Sequence, residues 1–435
     1  MGVFLMAETV DLEQYVLPEG ISPDDYVVAT YLLRSQEKGI LQRVATMATE
    51  QTTGTWIQLP EETQALKERH QGKVLGVWEV PDYETNREIT GEGRTHVFQL
   101  ALPVENIGSQ IPMLLTTVFG NISMMGEIKL VDLSLPRRFV DGLPGPQFGV
   151  KGIRKLLGVP ERPLLNTMIK PSTGITPEKG AELFYQAGLG GTDIIKDDEV
   201  LSDTGFSPFL KRVELNLKMA KRAYEEKGQK ILYAVNVTDE PERCLNRAIA
   251  AVEAGANAIM VNYLPVGIGI LSSLARNPKI RVPILAHLDF GGALYASPFH
   301  GISSHLIYGK LARLAGVDML TIPTPYGKFG ILRDKYLRIA VALQKPAYDK
   351  ERAWPVAGGA VKQGHLPQLF KDLGKDFIVG AGGAIYAHPM GPSAGARAFR
   401  QGIDLIMERG GFDESVKDCP ELKAALDRWG IYGKG

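Results

Sequence analysis

Residues 190–199 read Gly-Gly-Thr-Asp-Ile-Ile-Lys-Asp-Asp-Glu. In this stretch an apolar strand pattern is followed directly by a lysine and three carboxylates. A cation that prefers oxygen ligands needs several anionic groups at one point, and a strand end holds them on a fixed backbone. A protonated Lys196 would repel such a cation, so it must pair with the acidic residues or react with CO2. The resulting carbamate would be a further carboxylate. Taken alone, however, the stretch is more typical of a solvated acidic loop with one salt bridge.

The surrounding sequence changes that interpretation, because apolar runs of strand length alternate with segments of helical periodicity. Eight runs follow one another: Pro163–Ile169, Thr192–Ile195, Ile231–Val237, Ala258–Leu264, Pro283–Leu288, Met319–Thr324, Trp354–Ala357 and Phe377–Gly380. Helical spacing of apolar residues occurs at Phe209–Glu226, Pro241–Ala254, Ser304–Ala315, Lys335–Leu343 and Ala394–Met407. Eight strand–helix units in about 250 residues predict an α/β fold, a parallel (β/α)8 TIM barrel.

Reactive or backbone-exposing residues follow nearly every predicted strand. In such barrels the chemistry lies at the C-terminal ends of the strands, so these residues are expected to converge. They are Ile169–Pro171, Lys196–Glu199, Asn236, Asn262, His287, Lys328, Gly358–Gly359 and Gly380–Gly383. Each one alone is weak evidence, but together they predict an active site.

Residues 1–145 lack this alternation and are predicted to form a small α+β N-terminal domain. Extended runs at Tyr26–Leu33, Val74–Val80 and His96–Leu102 accompany a helix near Glu37–Glu50. The boundary is expected within Gly142–Gly149, which is rich in glycine and proline. The barrel domain, with a C-terminal helical tail, would then occupy residues 146–435.

The composition of the chain argues against several kinds of partner and of site. The chain has 435 residues, 44% of them apolar, and its 49 basic and 49 acidic residues give no net charge. Without a dense basic cluster, nucleic acid and anionic membranes are not expected partners. Cys244 and Cys419 are the only cysteines, which argues against a disulfide framework or a cysteine metal site. No apolar run reaches the length of a membrane span or a signal peptide, so a soluble, cytoplasmic enzyme is expected.

With these motifs in view, the chain resembles ribulose-bisphosphate carboxylase large chains, and specifically RuBisCO-like proteins. The resemblance runs from Glu50–Trp56 to His388–Gly391. It implies that Lys196 is carbamylated by CO2 and binds Mg²⁺ together with Asp198 and Glu199. The neighbouring Asp197 would be structural. A carbamate and two carboxylates would leave roughly half of an octahedral Mg²⁺ open to substrate oxygens.

Three further residues match catalytic positions of the family. Lys170, in Ile-Lys-Pro, matches the lysine that moves protons at the enediolate carbon, and phosphate binding is the alternative role. His287 matches an imidazole near the substrate hydroxyls, with a purely structural histidine as the alternative. Lys328, in Tyr-Gly-Lys-Phe, matches a mobile-loop lysine that contacts the CO2-derived carboxylate. Its presence favours a substrate with a carboxyl group.

Glycine-rich turns follow the seventh and eighth predicted strands. Backbone N–H groups in such turns bind anions, so a phosphate of the substrate is predicted there. The residues concerned are Gly358, Gly359, Gly382 and Gly383. By resemblance, Thr55 and Trp56 complete this pocket, and they reach the site of a partner subunit together with Glu50 and Asn121. The resemblance thus implies a homodimer, or a multiple of dimers, with a shared site.

Departures from the family pattern predict that the chain does not fix CO2. Carboxylases hold a second phosphate with an arginine, a histidine and a serine, which align here with Leu288, Thr321 and Gly358. Replacing a charged phosphate partner by an uncharged residue removes roughly 1.5–3 kcal/mol of binding free energy. The second lysine of the family's Lys-Pro-Lys motif is Ser172 in this chain. The substrate is therefore predicted to be a sugar-derived compound with one phosphate.

The resemblance implies an enzyme that forms a metal-stabilised enediolate. Among the reactions known for RuBisCO-like proteins, the presence of Lys328 and the loss of one phosphate pocket favour decarboxylation of 3-oxo-isoapionate 4-phosphate. Cleavage of the same substrate by a transcarboxylase/hydrolase is the first alternative. The next is methionine salvage, by a 2,3-diketo-5-methylthiopentyl-1-phosphate enolase or a methylthioribulose phosphate isomerase. Leu288, Ile322 and Pro323 would then form an apolar slot for the methylthio group. A sugar-phosphate sensor or scaffold without turnover is the alternative of a different class.

Overall fold

The computed structural model describes residues 12–36, 39–54, 59–85 and 93–433, and the chain divides into two compact units. The first unit comprises the described residues up to Leu143 together with Gly291–Ile307. The second comprises Pro144–Phe290 and the residues from Tyr308 onward. The segment Gly291–Ile307, which we expected within the barrel domain, thus belongs to the first unit, because its short strand pairs with the sheet there.

The first unit is built on a five-stranded sheet. Its elements are β1 (Tyr26–Ser35), α1 (Ile40–Glu50), α2 (Gln64–His70), β2 (Lys73–Val80), β3 (Arg94–Pro103), α3 (Ile111–Phe119), β4 (Glu127–Ser134), α4 (Arg137–Asp141), α11 (Gly292–Tyr295) and β10 (Gly301–Ile302). The strand order is β10-β4-β1-β3-β2, and the pairs are antiparallel except that of β10 with β4. In β1 every second residue is buried, as expected for a strand with one face on a core.

The second unit is a closed barrel of eight parallel strands, which confirms the predicted fold. Its strands are β5 (Leu164–Met168), β6 (Ile194–Lys196), β7 (Leu232–Asn236), β8 (Ala258–Val261), β9 (Ile284–Ala286), β11 (Met319–Pro323), β12 (Trp354–Gly358) and β13 (Ile378–Gly380). Its helices are α5 (Gly149–Leu157), α6 (Pro177–Leu189), α7 (Phe209–Lys227), α8 (Pro241–Glu253), α9 (Tyr263–Val266), α10 (Gly269–Arg276), α12 (Leu311–Ala315), α13 (Arg333–Gln344), α14 (Leu366–Leu373), α15 (Gly383–Tyr386), α16 (Pro392–Arg409) and α17 (Pro420–Trp429). None of the helices in the described part of the chain has the length and apolar character needed to span a bilayer.

Two of the differences from the predicted elements have a clear structural cause. The run Ala258–Leu264 was predicted as one strand, but β8 ends at Val261 because the chain turns into α9 at Tyr263. The strand β4 was not predicted at all. Its partner β1 changes register between Thr30 and Tyr31, and this irregularity breaks the alternation of buried residues along β4.

The barrel interior explains where the site lies. Each strand contributes a buried apolar residue to one inner cluster, which includes Leu164, Ile194, Ala234, Met260, Leu285, Met319, Val356 and Ile378. Because side chains alternate along a strand, the residue two positions later points to the same side. Those residues are Asn166, Lys196, Asn236, Asn262, His287, Thr321, Gly358 and Gly380. Six of these eight residues are polar, so the apolar layer supports a mainly polar layer at the C-terminal ends of the strands.

Replacing Asp318 with alanine is expected to destabilise the barrel by about 3 kcal/mol or more. The fully buried Asp318 carboxylate accepts hydrogen bonds from the backbone N–H groups of Phe148 (2.7 Å), Gly149 (2.8 Å) and Ile284 (2.9 Å). The variant would leave three buried donors unsatisfied. Urea unfolding measures the change, and the exposed Asp427→Ala serves as control, with an expected change within about 0.5 kcal/mol. Equal stability of the two variants would contradict this role.

Candidate active site

Lys196 lies at the end of β6 and its side chain is fully buried. Its ammonium group donates to the backbone oxygen of Asp197 and to Glu199 Oε2, both at 3.0 Å. Asp198 Oδ2 accepts from Lys170 Nζ at 2.6 Å. The structure thus brings Lys170, Lys196, Asp198 and Glu199 into one cluster in which each carboxylate is paired with an ammonium group.

Asp197 faces away from this cluster, as its expected structural role requires. Its carboxylate accepts from Arg212 Nε (3.1 Å), from the Tyr233 hydroxyl (2.7 Å) and from the backbone N–H of Asn236 (3.1 Å). Both Asp197 and Arg212 are buried. These bonds tie the end of β6 to β7 and α7, so they hold the backbone of the acidic loop in place.

Two asparagines, noted only as weak candidates in the sequence, position the same loop. The Asn236 side-chain amide donates to the backbone oxygens of Asp198 (3.3 Å), Glu199 (3.3 Å) and Leu201 (3.1 Å). The Asn262 amide donates to the Glu199 oxygen at 2.8 Å. Asn262 Oδ1 is buried and has no hydrogen-bond partner among the described residues. A buried acceptor of this kind is suited to a hydroxyl or water at the site.

His287 follows β9 and contacts Glu199, so it belongs to the same cluster. Its Nε2 lies 3.4 Å from Glu199 Oε2, and its Nδ1 lies 2.8 Å from Asp289 Oδ1. Burial alone would raise the pKa of Glu199, but the positive charges of Lys196 and His287 outweigh burial and lower the pKa to about 2. Asp289 is a site residue that was not predicted from the sequence, although its position two residues after the histidine was a usable signal.

Lys170 is held from three directions. Besides Asp198, its ammonium donates to Ser172 Oγ at 2.7 Å. A Cβ atom on Gly382 would lie 2.4 Å from Met168 Sδ and 3.3 Å from Lys170 Cε, so a side chain there would displace Met168 and crowd Lys170. Ser172, which replaces the second lysine of the family motif, thus serves as an acceptor. Gly382, predicted to bind phosphate, lies directly against Lys170.

The loop that carries Lys328 rests on the end of β12. The backbone N–H of Lys328 donates to the Gly359 oxygen at 3.2 Å, and a Cβ on Gly327 would collide with that oxygen. Gly359 has a φ of +102°, and its bare backbone contacts the Phe329 ring. Lys328 Nζ itself lies 5.2 Å from the centre of that ring and is exposed. Phosphate binding by Gly358, Gly359, Gly382 and Gly383 stays a prediction.

The candidates in the first unit are only partly described. Asn121 Nδ2 donates to Glu50 Oε1 at 3.0 Å, so these two predicted residues contact each other. Thr55 and Trp56 lie outside the described residues. A homodimer with a site shared between subunits stays a prediction that rests on the family resemblance.

The cluster fits the predicted Mg²⁺ only if Lys196 is carbamylated. Among the residues that the structure describes, no three His, Cys, Asp or Glu side chains could together hold a metal ion. Asp198 and Glu199 supply two carboxylates, and the buried Lys196 lies beside them within 3.0 Å of Glu199. A carbamate on Lys196 would replace a repelling cation by a third oxygen ligand, which is the donor set that Mg²⁺ prefers.

The positions that the resemblance aligns with the second phosphate site of carboxylases carry no charge here. Leu288 and Thr321 are buried, and Thr321 Oγ1 has no partner among the described residues. Ile322 was proposed to line an apolar slot, but it lies on the outer face of β11, since Met319 and Thr321 occupy the inner face. Leu288 and Pro323 remain candidates for such a slot.

Comparisons with known proteins agree over nearly the whole chain. Residues 149–429 match the family "Ribulose bisphosphate carboxylase large chain, catalytic domain", and residues 14–139 match its N-terminal domain. A ribulose bisphosphate carboxylase-like protein of Archaeoglobus fulgidus is 47% identical, with 90% of each chain covered. A 2,3-diketo-5-methylthiopentyl-1-phosphate enolase of Bacillus licheniformis is 40% identical over 93% of this chain and 98% of its own. The crystal structure of a rubisco-like protein, MtnW, of Alicyclobacillus acidocaldarius has a TM-score of 0.86 and 35% identity, with 93% of this chain and 100% of that one covered.

Proposed function

The chain belongs to the ribulose bisphosphate carboxylase large-chain family, and from this premise we propose that it is a RuBisCO-like enolase. Its substrate would be a diketone with one phosphate, such as 2,3-diketo-5-methylthiopentyl 1-phosphate. The sequence alone favoured decarboxylation of 3-oxo-isoapionate 4-phosphate. Relatives named 2,3-diketo-5-methylthiopentyl-1-phosphate enolase, 40% and 37% identical to this chain, support the enolase alternative better.

The observation that carries this proposal is the placement of Lys170. Its ammonium lies 2.6 Å from Asp198 and 2.7 Å from Ser172, at the edge of the acidic cluster. About one third of the side chain is exposed (34%), so a substrate bound at the cluster can reach it. An enolase has to remove a proton from the carbon next to a ketone, and a lysine amine beside the ketone is a suitable base.

The remaining residues would position the substrate. Mg²⁺ held by Asp198, Glu199 and carbamylated Lys196 would stabilise negative charge on the ketone oxygen. His287, oriented by Asp289, can donate a hydrogen bond to a substrate oxygen. Lys170 would act as a base in its neutral amine form and take the proton from carbon. A proton delivered to the enolate oxygen, from the resulting ammonium or from solvent, would give the enol, and no bond between carbons is broken.

The residues that would hold the two ends of the substrate favour a compound with one phosphate rather than two. The glycine turns after β12 and β13 present backbone N–H groups suited to one phosphate. On the other side, Leu288 provides an apolar surface in place of an arginine, and a methylthio group would be better accommodated there than a dianion.

Proton exchange tests the proposal directly. The protein, treated with Mg²⁺ and bicarbonate, is mixed in D2O with 2,3-diketo-5-methylthiopentyl 1-phosphate and followed by proton and phosphorus NMR. We expect the enol to form, with loss of one proton signal next to a ketone and with phosphate retained. An unchanged spectrum, combined with CO2 release from 3-oxo-isoapionate 4-phosphate, would replace the enolase by the decarboxylase.

The decarboxylase stays the second candidate because Lys328 is kept in the loop after β11, with an exposed ammonium group. Lys328→Ala separates the two activities. A lysine that binds a substrate carboxylate contributes roughly 1.5–3 kcal/mol, so a decarboxylase would lose about 10- to 150-fold in kcat/KM. If the protein is an enolase, we expect Lys328→Ala to lower kcat/KM by less than about tenfold.

The matched control for Lys328→Ala is Lys335→Ala, which removes another exposed lysine, in α13. It is expected to leave kcat/KM unchanged within about twofold. A loss of 100-fold on the diketone for Lys328→Ala, with the control unaffected, would contradict the expected tolerance and assign Lys328 a role in enolisation.

A further inference from the structure

A pocket of about 610 Å³ lies at the end of the barrel opposite to the candidate active site. It is formed by the residues that precede three strands, Lys230–Ile231 before β7, Ala256–Asn257 before β8 and Arg281–Pro283 before β9. The helices α5 and α7 form the rest of its walls. Catalytic candidates such as Lys196 and His287 lie at the other ends of the strands, so this pocket is separate from them.

The walls of the pocket are mainly apolar. Leu217 and Phe148 contribute to them, and Phe148 packs against the inner cluster of the barrel. Leu156 is 37% exposed and Tyr224 is 47% exposed. A concave apolar surface of this size is typical of a site for a small ligand, and its exposed leucine and tyrosine would gain stability if a ligand covered them.

The polar groups of the pocket are all neutral or basic. Lys221, Lys230 and Arg281 line it, and no aspartate or glutamate of the described residues does. Lys221 reaches Glu225 only at 4.0 Å, with both side chains largely exposed. Within the described part of the chain, neither Lys230 nor Arg281 forms an ion pair. The pocket thus combines apolar walls with a rim of three basic side chains, two of which form no ion pair among the described residues.

From this combination we propose that the pocket binds a small anionic amphiphile, with a carboxylate or sulfonate on the basic rim and a hydrocarbon or aryl body against Leu156, Leu217 and Tyr224. The charge of the rim disfavours cationic amphiphiles, and a small hydrophilic anion would leave the apolar walls uncovered. The site goes beyond the proposed enolase activity and does not depend on it.

Fluorescence titration of the full chain with 8-anilinonaphthalene-1-sulfonate tests the proposal. We expect one probe per chain, displaced by decanoate but not by decyltrimethylammonium. Lys230→Glu/Arg281→Glu should weaken binding of the probe by about tenfold or more at low salt, since attraction at the rim becomes repulsion. Leu217→Trp, which fills the pocket and keeps its charges, should weaken binding as well.

The matched control is Lys227→Glu/Lys279→Glu, which makes the same change in net charge outside the pocket and should alter affinity by less than about twofold. Equal weakening in both double variants, or no displacement by decanoate, would overturn the proposal. It would also be overturned if size-exclusion chromatography with light scattering showed that Lys230→Glu/Arg281→Glu dissociates an assembly of the chain, because a second copy would then cover the pocket.

Discussion

Lys196→Met is expected to abolish Mg²⁺-dependent turnover. In the described residues no three histidine, cysteine, aspartate or glutamate side chains could together hold a metal ion, so Asp198 and Glu199 would depend on a modified Lys196 for the third ligand. Methionine fills the buried space of the lysine but cannot form a carbamate. A metal ion that polarises a carbonyl is worth several kcal/mol, so we expect kcat to fall on the order of 10³-fold or more.

The carbamate itself gives a readout that does not depend on turnover. With ¹³C-labelled bicarbonate, the wild-type protein should show a carbamate carbon signal that Lys196→Met lacks, and Mg²⁺ titration calorimetry should show binding only in the wild type. Lys179→Met, which removes an exposed lysine of α6 paired with Glu182, is the control and should behave like the wild type. If Lys196→Met turned over at the wild-type rate without bicarbonate, the proposed metal site would be wrong.

The barrel and much of the acidic cluster could be predicted from the sequence, because the apolar runs show where each strand ends. In a parallel barrel the end of each strand is known once the apolar run is known, so Lys170, Lys196 and His287 could be predicted to converge without knowledge of their contacts. The alternation of side chains then requires that the residue two positions beyond an inner apolar residue faces the same interior. Six of the eight strands carry a polar side chain at that position, and β12 and β13 carry a glycine there.

Contacts that depend on exact backbone positions could not be predicted. Nothing in the sequence indicates that Asn236 and Asn262 bond to backbone oxygens of the acidic loop, because those oxygens are supplied by every residue type. The departure of Gly291–Ile307 into the first unit was also hidden, since its strand is only two residues long. A pattern of period two cannot be recognised in such a short strand.

The acidic cluster also shows why the basic residues of the site are not redundant. Lys170 and Lys196 pair with different carboxylates, Asp198 and Glu199, at 2.6 Å and 3.0 Å. Lys196 is fully buried, whereas Lys170 is 34% exposed. A fully buried amine is shielded from the substrate and suits a ligand role, while a partly exposed one can exchange protons with it. Replacing Lys196 should therefore impair metal binding, whereas replacing Lys170 should impair proton transfer.

Lys170→Ala is accordingly expected to stop proton transfer and leave the carbamate on Lys196 in place. General base catalysis contributes about 10²–10⁴-fold, and we expect kcat to fall within that range. Because alanine leaves space beside Gly382, added ethylamine should restore part of the rate in proportion to its free-base concentration.

Ser172→Ala, which removes only one hydrogen bond to Lys170, should lower kcat by about 2- to 10-fold. Deuterium exchange into the diketone measures the step, and wild-type exchange in Lys170→Ala would show that another group removes the proton.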